Sequence, residues 1–183
     1  MSVVDEVLAY NREFVRSRQY ERFAASKLPA RRVAVLSCMD SRLAELLPAA
    51  LGFRNGHFQM IKVAGAVVSH PFGSVMRSLL VGIYKYDVTD ILVIGHHDCG
   101  MQVLDPDDIT AMMLARGVDQ RTLDTIDFGL IDLRRWLSGF ADASESVREA
   151  VQLIRRHPLT PDGVEVHGLL IDPDTGGLET VLG

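Results

Sequence analysis

The residues with the clearest chemical potential are the two cysteines of the sequence and a histidine close to the second one. Cys38 begins the segment CMDSR, and Cys99 ends the segment HHDC, three residues after His96. Two thiolates and an imidazole suit Zn²⁺, and three protein ligands leave the fourth tetrahedral position open for water, as in catalytic zinc sites. We prefer His96 over its neighbour His97 because a single turn can direct His96 and Cys99 at one ion. We therefore predict one zinc ion per chain, held by Cys38, His96 and Cys99.

Asp40 and Arg42 are a second pair of interest, because both follow Cys38 within four residues. Separated by one residue, they can face the same way as Cys38 in an extended or turn conformation, and the guanidinium would keep the carboxylate ionised. An ionised carboxylate only accepts hydrogen bonds, so Asp40 would orient a protonated oxygen on the zinc ion toward a substrate. The alternatives are an ordinary surface ion pair, and cysteines that only fill the core or form a disulfide. We expect the catalytic role for Asp40 and Arg42.

The composition limits the classes of protein that need to be considered. The chain has 183 residues, of which 48% are hydrophobic and 23% are charged, with a net charge of −5. This composition predicts one domain with a buried core, and the absence of clustered Lys and Arg argues against a nucleic-acid partner. No uncharged apolar stretch approaches the roughly 18 residues of a membrane-spanning helix, so we expect no membrane partner. Few cysteines and the lack of an export signal predict a cytoplasmic protein.

Short apolar runs that alternate with helical patterns predict the elements that position these residues. The expected buried strands are Val33–Ser37, Phe58–Val63 and Ile91–Gly95, and the clearest internal helix is Ser74–Tyr86. This alternation predicts an α/β fold with a mostly parallel central sheet and helices on both faces. The carboxyl ends of parallel strands meet at one edge of a sheet, so the segments that begin at Cys38 and end at Cys99 are expected to come together.

The rest of the chain predicts further helices and a closing hairpin. Residues 105–140 are typical of two or three short helices, and Ser146 with Glu149 forms a capping-box pattern that predicts the start of another helix. The runs Val164–Ile171 and Leu178–Leu182 flank a turn sequence, which predicts an antiparallel strand at the C-terminal edge of the sheet.

The N-terminal segment predicts an amphipathic helix over Val3–Val15, ahead of the first strand. Its apolar face needs a partner surface, which a second subunit could supply. We treat residues 1–183 as one domain, in which residues 1–30 form a helical arm expected to pack on a partner subunit.

The two chemical segments together resemble the signature of the β-class carbonic anhydrases. That signature appears here as Cys38-x-Asp40-x-Arg42, followed about sixty residues later by Gly95-His96-x-x-Cys99-Gly100. The Ala-Gly pair after the second strand and the Thr-Gly-Gly-Leu stretch near the C-terminus add to the likeness, which extends over most of the chain. The short length is similar to that of the compact archaeal and bacterial branch. The two motifs at this spacing are specific together, whereas either one alone is weak.

The resemblance implies zinc held by Cys38, His96 and Cys99, with Asp40 and Arg42 beside it. It also implies reversible hydration of CO₂ to bicarbonate by zinc-bound hydroxide, and a homodimer or a dimer of such dimers. Several alternatives stay open at this point. The substrate could be carbonyl sulfide or carbon disulfide, Asp40 rather than water could occupy the fourth zinc position, and the protein could be a non-catalytic zinc or thiol-redox protein.

One departure from the family pattern concerns the strand before the Ala-Gly pair. Val63 stands where many members have asparagine. This difference leaves the predicted zinc ligands intact but changes the polar lining expected for the pocket.

Overall fold

A computed structural model of the protein describes residues 1–129 and 131–181. The strands are β1 (Val33–Cys38), β2 (Gln59–Val63), β3 (Asp90–His96), β4 (Glu165–Ile171) and β5 (Leu178–Thr180). The α-helices are α1 (Val3–Arg16), α2 (Leu43–Ala50), α3 (Ser74–Tyr86), α4 (Pro106–Ala115), α5 (Gln120–Phe128), α6 (Leu133–Leu137) and α7 (Ala143–Arg156). Short 3₁₀ helices span Gln19–Phe23, Ala64–Ala66 and Gly100–Val103.

The five strands form one sheet in the order β2-β1-β3-β4-β5. The pairs β1–β2, β1–β3 and β3–β4 are parallel, whereas β5 runs antiparallel to β4 at the edge. This topology confirms the predicted fold class and the antiparallel C-terminal strand. Because β1 and β3 are neighbours, with Ser37 opposite Ile94, the loops that follow them leave the sheet side by side.

Both faces of the sheet are covered, as the continuous apolar strand sequences predict. On one face, side chains such as Leu36 and Val93 pack against helices α3 and α7. On the other face, Val35 and Ile94 pack against Leu43 and other residues of α2. The two clusters hold the central strands, and therefore the loops at their ends, in fixed positions.

Two of the differences between the sequence prediction and the structure lie in the C-terminal part of the chain. Helix α7 begins at Ala143 rather than near Ser146, because the Asp142 carboxylate accepts a 2.8 Å hydrogen bond from the Glu145 N–H group and caps the helix. Ser146 is instead buried within the helix, so the predicted capping box is wrong. Strand β5 ends at Thr180, and Leu182, the predicted end of that strand, lies outside the described residues.

Helix α1 confirms the predicted N-terminal helix and shows its apolar face to solvent. Ser2 caps it, and every residue of α1 is exposed except Phe14, which is half-buried. Val7, for example, is 59% exposed. Within the part of the chain that the structure describes, no helix has the length and apolar character needed to cross a membrane.

Candidate metal centre

Three buried side chains from the ends of two neighbouring strands meet at the carboxyl edge of the sheet. Cys38 is the last residue of β1, His96 is the last residue of β3, and Cys99 follows within the loop after β3. Their Sγ and ring nitrogen atoms all lie within 4.8 Å of one another, and the two Sγ atoms are 3.9 Å apart. The structure therefore brings together the three side chains that the sequence predicts as metal ligands.

The imidazole of His96 is oriented so that one nitrogen points into this cluster. Its Nδ1 atom lies 2.8 Å from the carbonyl oxygen of His97, and since a carbonyl only accepts, Nδ1 carries the proton and donates it. Nε2 is therefore left with a free lone pair. It is buried, and no hydrogen-bond partner for it exists among the residues that the structure describes. Buried polar atoms without partners are uncommon, and a histidine fixed through one nitrogen commonly binds a metal through the other.

The thiol of Cys99 shows why a cation suits the cluster. Burial, together with the neighbouring Cys38, raises the pKa of this thiol to about 11. At neutral pH the thiol stays protonated unless positive charge compensates the thiolate. Two sulfur ligands about 2.3 Å from a tetrahedral zinc ion are about 3.8 Å apart, which matches the observed sulfur separation. The donor set and its spacing therefore fit zinc.

Asp40 and Arg42 form a close ion pair beside the cluster. The Arg42 side chain donates to Asp40 from Nη2 at 2.9 Å and from Nε at 3.2 Å, and the Arg42 backbone N–H donates to Asp40 Oδ1 at 2.8 Å. The hydrogen bonds from the Arg42 side chain lower the pKa of Asp40 to about 2, so this carboxylate is ionised at neutral pH. Its Oδ2 atom lies 3.8 Å from His96 Nε2. The pair that the sequence singles out therefore lies directly against the three candidate ligands.

Two further histidines lie outside the cluster. The ring of His97 lies 2.7 Å from a Glu179 carboxylate oxygen on β5, outside the cluster of three. His70 accepts a hydrogen bond from the Phe72 N–H group and shapes the turn before α3.

Sequence reasoning missed two contacts in the surroundings, one made by Lys62 and one made by Phe140. The ammonium group of Lys62 on β2 lies 3.5 Å from the carbonyl oxygen of Asp40. Gly65 has a positive φ of 64°, and a Cβ atom there would lie 2.6 Å from the Phe140 ring. Phe140 and Met101 also pack against the apolar cluster that contains both cysteines. Lys62 lies opposite Ser37 in the β1–β2 register, which brings it near the loop that follows β1, and this register cannot be read from the sequence. The Phe140 contact depends on tertiary packing.

Comparison with known proteins places this geometry in a family. The family model described as carbonic anhydrase matches residues 33–178, which include all five candidate site residues. The chain belongs to the β-class carbonic anhydrase family. Among curated proteins it is similar to "Putative carbonic anhydrase YtiB" of Bacillus subtilis, with 44% identity over 100% of this chain and 97% of that protein.

Two further relatives bear on fold and substrate. The crystal structure of β-carbonic anhydrase isoform I from Trichomonas vaginalis matches with a TM-score of 0.91 and 32% identity, over 100% of this chain and 99% of that chain. A carbon disulfide hydrolase from Acidithiobacillus thiooxidans is 28% identical over 81% of this chain and 76% of that protein. Membership of the family is therefore shown, while its relatives differ in the substrates for which they are named.

Proposed function

We propose that the protein catalyses the reversible hydration of CO₂ to bicarbonate. One zinc ion would be held by Cys38, His96 and Cys99, with Asp40 and Arg42 as the catalytic pair. The observation that carries this proposal is the Nε2 atom of His96, which is buried beside two thiols, has no hydrogen-bond partner among the described residues, and lies 3.8 Å from an ionised carboxylate. A structural zinc site or a redox dithiol has no use for that carboxylate.

Bound zinc supplies a nucleophile at neutral pH by lowering the pKa of a water ligand. The reaction joins CO₂ and water to give bicarbonate and one proton, which leaves to solvent. With a pKa of about 2, Asp40 cannot take up that proton at neutral pH, so it acts as a hydrogen-bond acceptor. By accepting from the O–H group of the attacking oxygen, Asp40 turns a lone pair of that oxygen toward the carbon of CO₂. Arg42 keeps the carboxylate ionised and correctly rotated.

The space beside the cysteines is apolar, which suits an uncharged linear substrate. Phe140 and Met101 pack against the cluster around Cys38 and Cys99, and the missing side chain of Gly65 allows the Phe140 ring to approach. Apolar walls exclude water from the neighbourhood of CO₂ and leave the charged bicarbonate product poorly solvated. Product release is therefore favoured.

Stopped-flow CO₂ hydration by the zinc-loaded protein tests the proposal. We expect turnover that rises through mildly alkaline pH, because two thiolates donate more charge to zinc than neutral imidazoles do. Cys38→Ala should lose zinc and activity, whereas Asp40→Ala should keep zinc and lose most activity. A wild-type protein with one zinc ion per chain and no CO₂ turnover at any pH would refute the proposal.

Hydrolysis of carbon disulfide is the second candidate, supported by the 28% identical Acidithiobacillus thiooxidans relative. In that reaction one carbon disulfide and two waters give CO₂ and two hydrogen sulfide molecules, and carbonyl sulfide is the half-hydrolysed form. Release of hydrogen sulfide at rates above those of CO₂ hydration would favour this candidate. If neither substrate turns over and Cys38 and Cys99 oxidise reversibly to a disulfide, the protein acts as a thiol-redox protein.

The free, buried cysteines agree with a reducing, cytoplasmic location, which we include in the proposal.

We also propose that the single domain works as a homodimer or a dimer of dimers, in which α1 of one copy packs on α3 of another. Helix α3 borders a groove of about 620 Å³ lined by apolar side chains, including Phe72 and Tyr84, with the cations Arg77 and Lys85 among its lining residues. The exposed apolar face of α1 would match the apolar lining of the groove, and the acidic residues Asp5 and Glu6 in the first turn of α1 would complement its cations.

Sedimentation of two matched variants tests this assembly. Val7→Glu places a charge on the apolar face of α1, while Ala9→Glu places the same charge on the opposite, polar face. We expect Val7→Glu to sediment as a smaller species and Ala9→Glu to sediment like the wild type. A wild-type protein that is monomeric at all concentrations would contradict the assembly.

A further inference from the structure

Arg42 contacts both loops that leave the carboxyl ends of the central strands. Besides its hydrogen bonds to Asp40 in its own loop, it reaches across to Asp98 in the loop after β3. Nη1 donates to the Asp98 carboxylate at 3.1 Å, and Nη2 donates to the Asp98 backbone carbonyl at 3.0 Å. The guanidinium is therefore held by acceptors in two loops, those of Asp40 and those of Asp98.

The backbone at Asp98 is what brings its carbonyl oxygen to Arg42. Asp98 has a φ of 52°, in the left-handed region that aspartate and asparagine tolerate better than most other residues. The turn places the carbonyl and the carboxylate of the same residue within reach of one guanidinium. Because the Asp98 carboxylate is 86% exposed, water screens the ion pair. We therefore expect the pair to add little to the stability of the protein but to fix the orientation of the Arg42 guanidinium.

We propose that Asp98 is a positioning residue, which anchors the Arg42 guanidinium so that it presents the Asp40 carboxylate at a fixed rotation beside the candidate metal ligands. Asp98 acts through Arg42 and does not itself reach the reacting atoms. The inference rests on the proposed function for its effect on catalysis, but the coupling between Asp98 and Arg42 can be measured without any substrate.

The opposite end of the sheet supplies a matched control. Asp87 also has a left-handed backbone, with a φ of 58°. Arg32 donates to its carboxylate at 2.8 Å and to its backbone carbonyl at 2.7 Å, and the Asp87 side chain is 79% exposed. The same pair of contacts is thus built from the same residue types before β1, away from Cys38 and His96. If neutralising an aspartate in this arrangement lowers the free energy of unfolding in general, the loss should be seen at Asp87 as well as at Asp98.

Asp98→Asn is the informative variant, because asparagine accepts the left-handed backbone and keeps the carbonyl contact while it loses the charge. In the zinc-loaded protein we expect kcat to fall about two- to fivefold with KM unchanged, as for an exposed charge contact that matters in the transition state. Zinc content should stay at one per chain. Asp87→Asn should leave kcat and KM at wild-type values.

A double-mutant cycle with Arg42→Gln separates positioning from a general structural role. If Asp98 acts through Arg42, Asp98→Asn should lower kcat in the wild-type background and have no further effect on kcat in the Arg42→Gln background. Urea unfolding of the same four proteins should show a matching coupling between the two sites, and this readout does not require turnover. Equal losses of kcat in both backgrounds, or no loss in either, would overturn the inference.

The unfolding cycle also distinguishes this inference from the proposed function. If the wild type lacks CO₂ turnover but the unfolding cycle shows coupling, the proposed function fails and the anchoring of Arg42 by Asp98 stands. If turnover is present and neither cycle shows coupling, the proposed function stands and the anchoring role is refuted.

Discussion

At the amino end of the sheet, polar side chains pair with one another: Arg32 with Asp87, and Thr89 with Asp90 through a 2.8 Å hydrogen bond. At the carboxyl end, Asp40 and Arg42 are paired in the same way, but the buried Nε2 atom of His96 faces two thiols without a hydrogen-bond partner among the described residues. Both ends carry arginine, aspartate and histidine. The two ends differ because, among the described residues, only the carboxyl end has a buried histidine nitrogen without a hydrogen-bond partner.

This difference shows that charged residues alone do not mark a functional site in this fold. In an exposed ion pair, each charge interacts about as well with water as with its partner. Such pairs therefore change the stability of the protein little and can occur at either end of the sheet. A buried nitrogen without a partner destabilises the folded chain by about 1–3 kcal/mol unless a ligand satisfies it. A cation bound at the carboxyl end would therefore offset this cost.

The largest expected effect, on zinc affinity, comes from replacing a histidine at the carboxyl end of the sheet and comparing it with the same replacement at the amino end. His96→Gln should reduce zinc affinity by more than about a hundredfold, because changing residues that only support a ligand already costs about 10–100-fold. Activity should fall with the zinc content. His167→Gln is the control, since His167 on β4 is half-exposed and lies 3.6 Å from Asp90 at the amino end. Metal analysis after dialysis would contradict the comparison if both variants kept zinc equally.

An intermediate effect is expected from neutralising one aspartate at each end. Asp40→Asn should lower kcat/KM for CO₂ by about 10–100-fold while zinc is retained, because the amide can donate a hydrogen bond where the carboxylate only accepts. Asp90→Asn should change kcat/KM by less than about twofold. If the two variants lost equal activity, Asp40 would have no special role in the reaction.

The smallest expected effect concerns stability at acid pH. In the folded protein Arg42 lowers the pKa of Asp40 to about 2, below its ordinary value of 3.8. The unfolded chain therefore binds more protons between these values, and the contribution of Asp40 is complete above pH 4 and is lost as the pH falls toward 2. Urea unfolding of metal-free protein should show a shallower decline over this range for Asp40→Asn than for the wild type. Parallel curves would show that the pair contributes no pH-dependent stability.

Much of the fold was predictable because the hydrophobic pattern determines it. The continuous apolar runs indicated strands buried on both faces, and the stripe over Ser74–Tyr86 gave helix α3 with its observed bounds. Helix α2 was missed because Pro48 lies inside it and its eight residues are too few for a clear period. The start of α7 was misplaced because two capping patterns occur within a few residues, and Asp142 rather than Ser146 provides the cap.

The candidate site was predictable as a set of residues but not as a network. Strand topology alone explains why Cys38 and His96 meet, because β1 and β3 are neighbours in a parallel sheet. The contacts of Arg42 with Asp98 depend on a left-handed turn, which no local pattern around HHDC requires. The roles of the three candidate ligands and of Asp40 and Arg42 stay predictions until metal and activity are measured.

The adjacency of β1 and β3 also has a consequence for the order in which the chain folds. All five candidate site residues come from these two strands and the loops that follow them, so β4 and β5 contribute none of the five. A partly folded chain that contains the central strand pair already has the three candidate ligands in one place. Zinc held as proposed would therefore cross-link the central strand pair and close a loop of about sixty residues, which would stabilise any partly folded state that contains this pair.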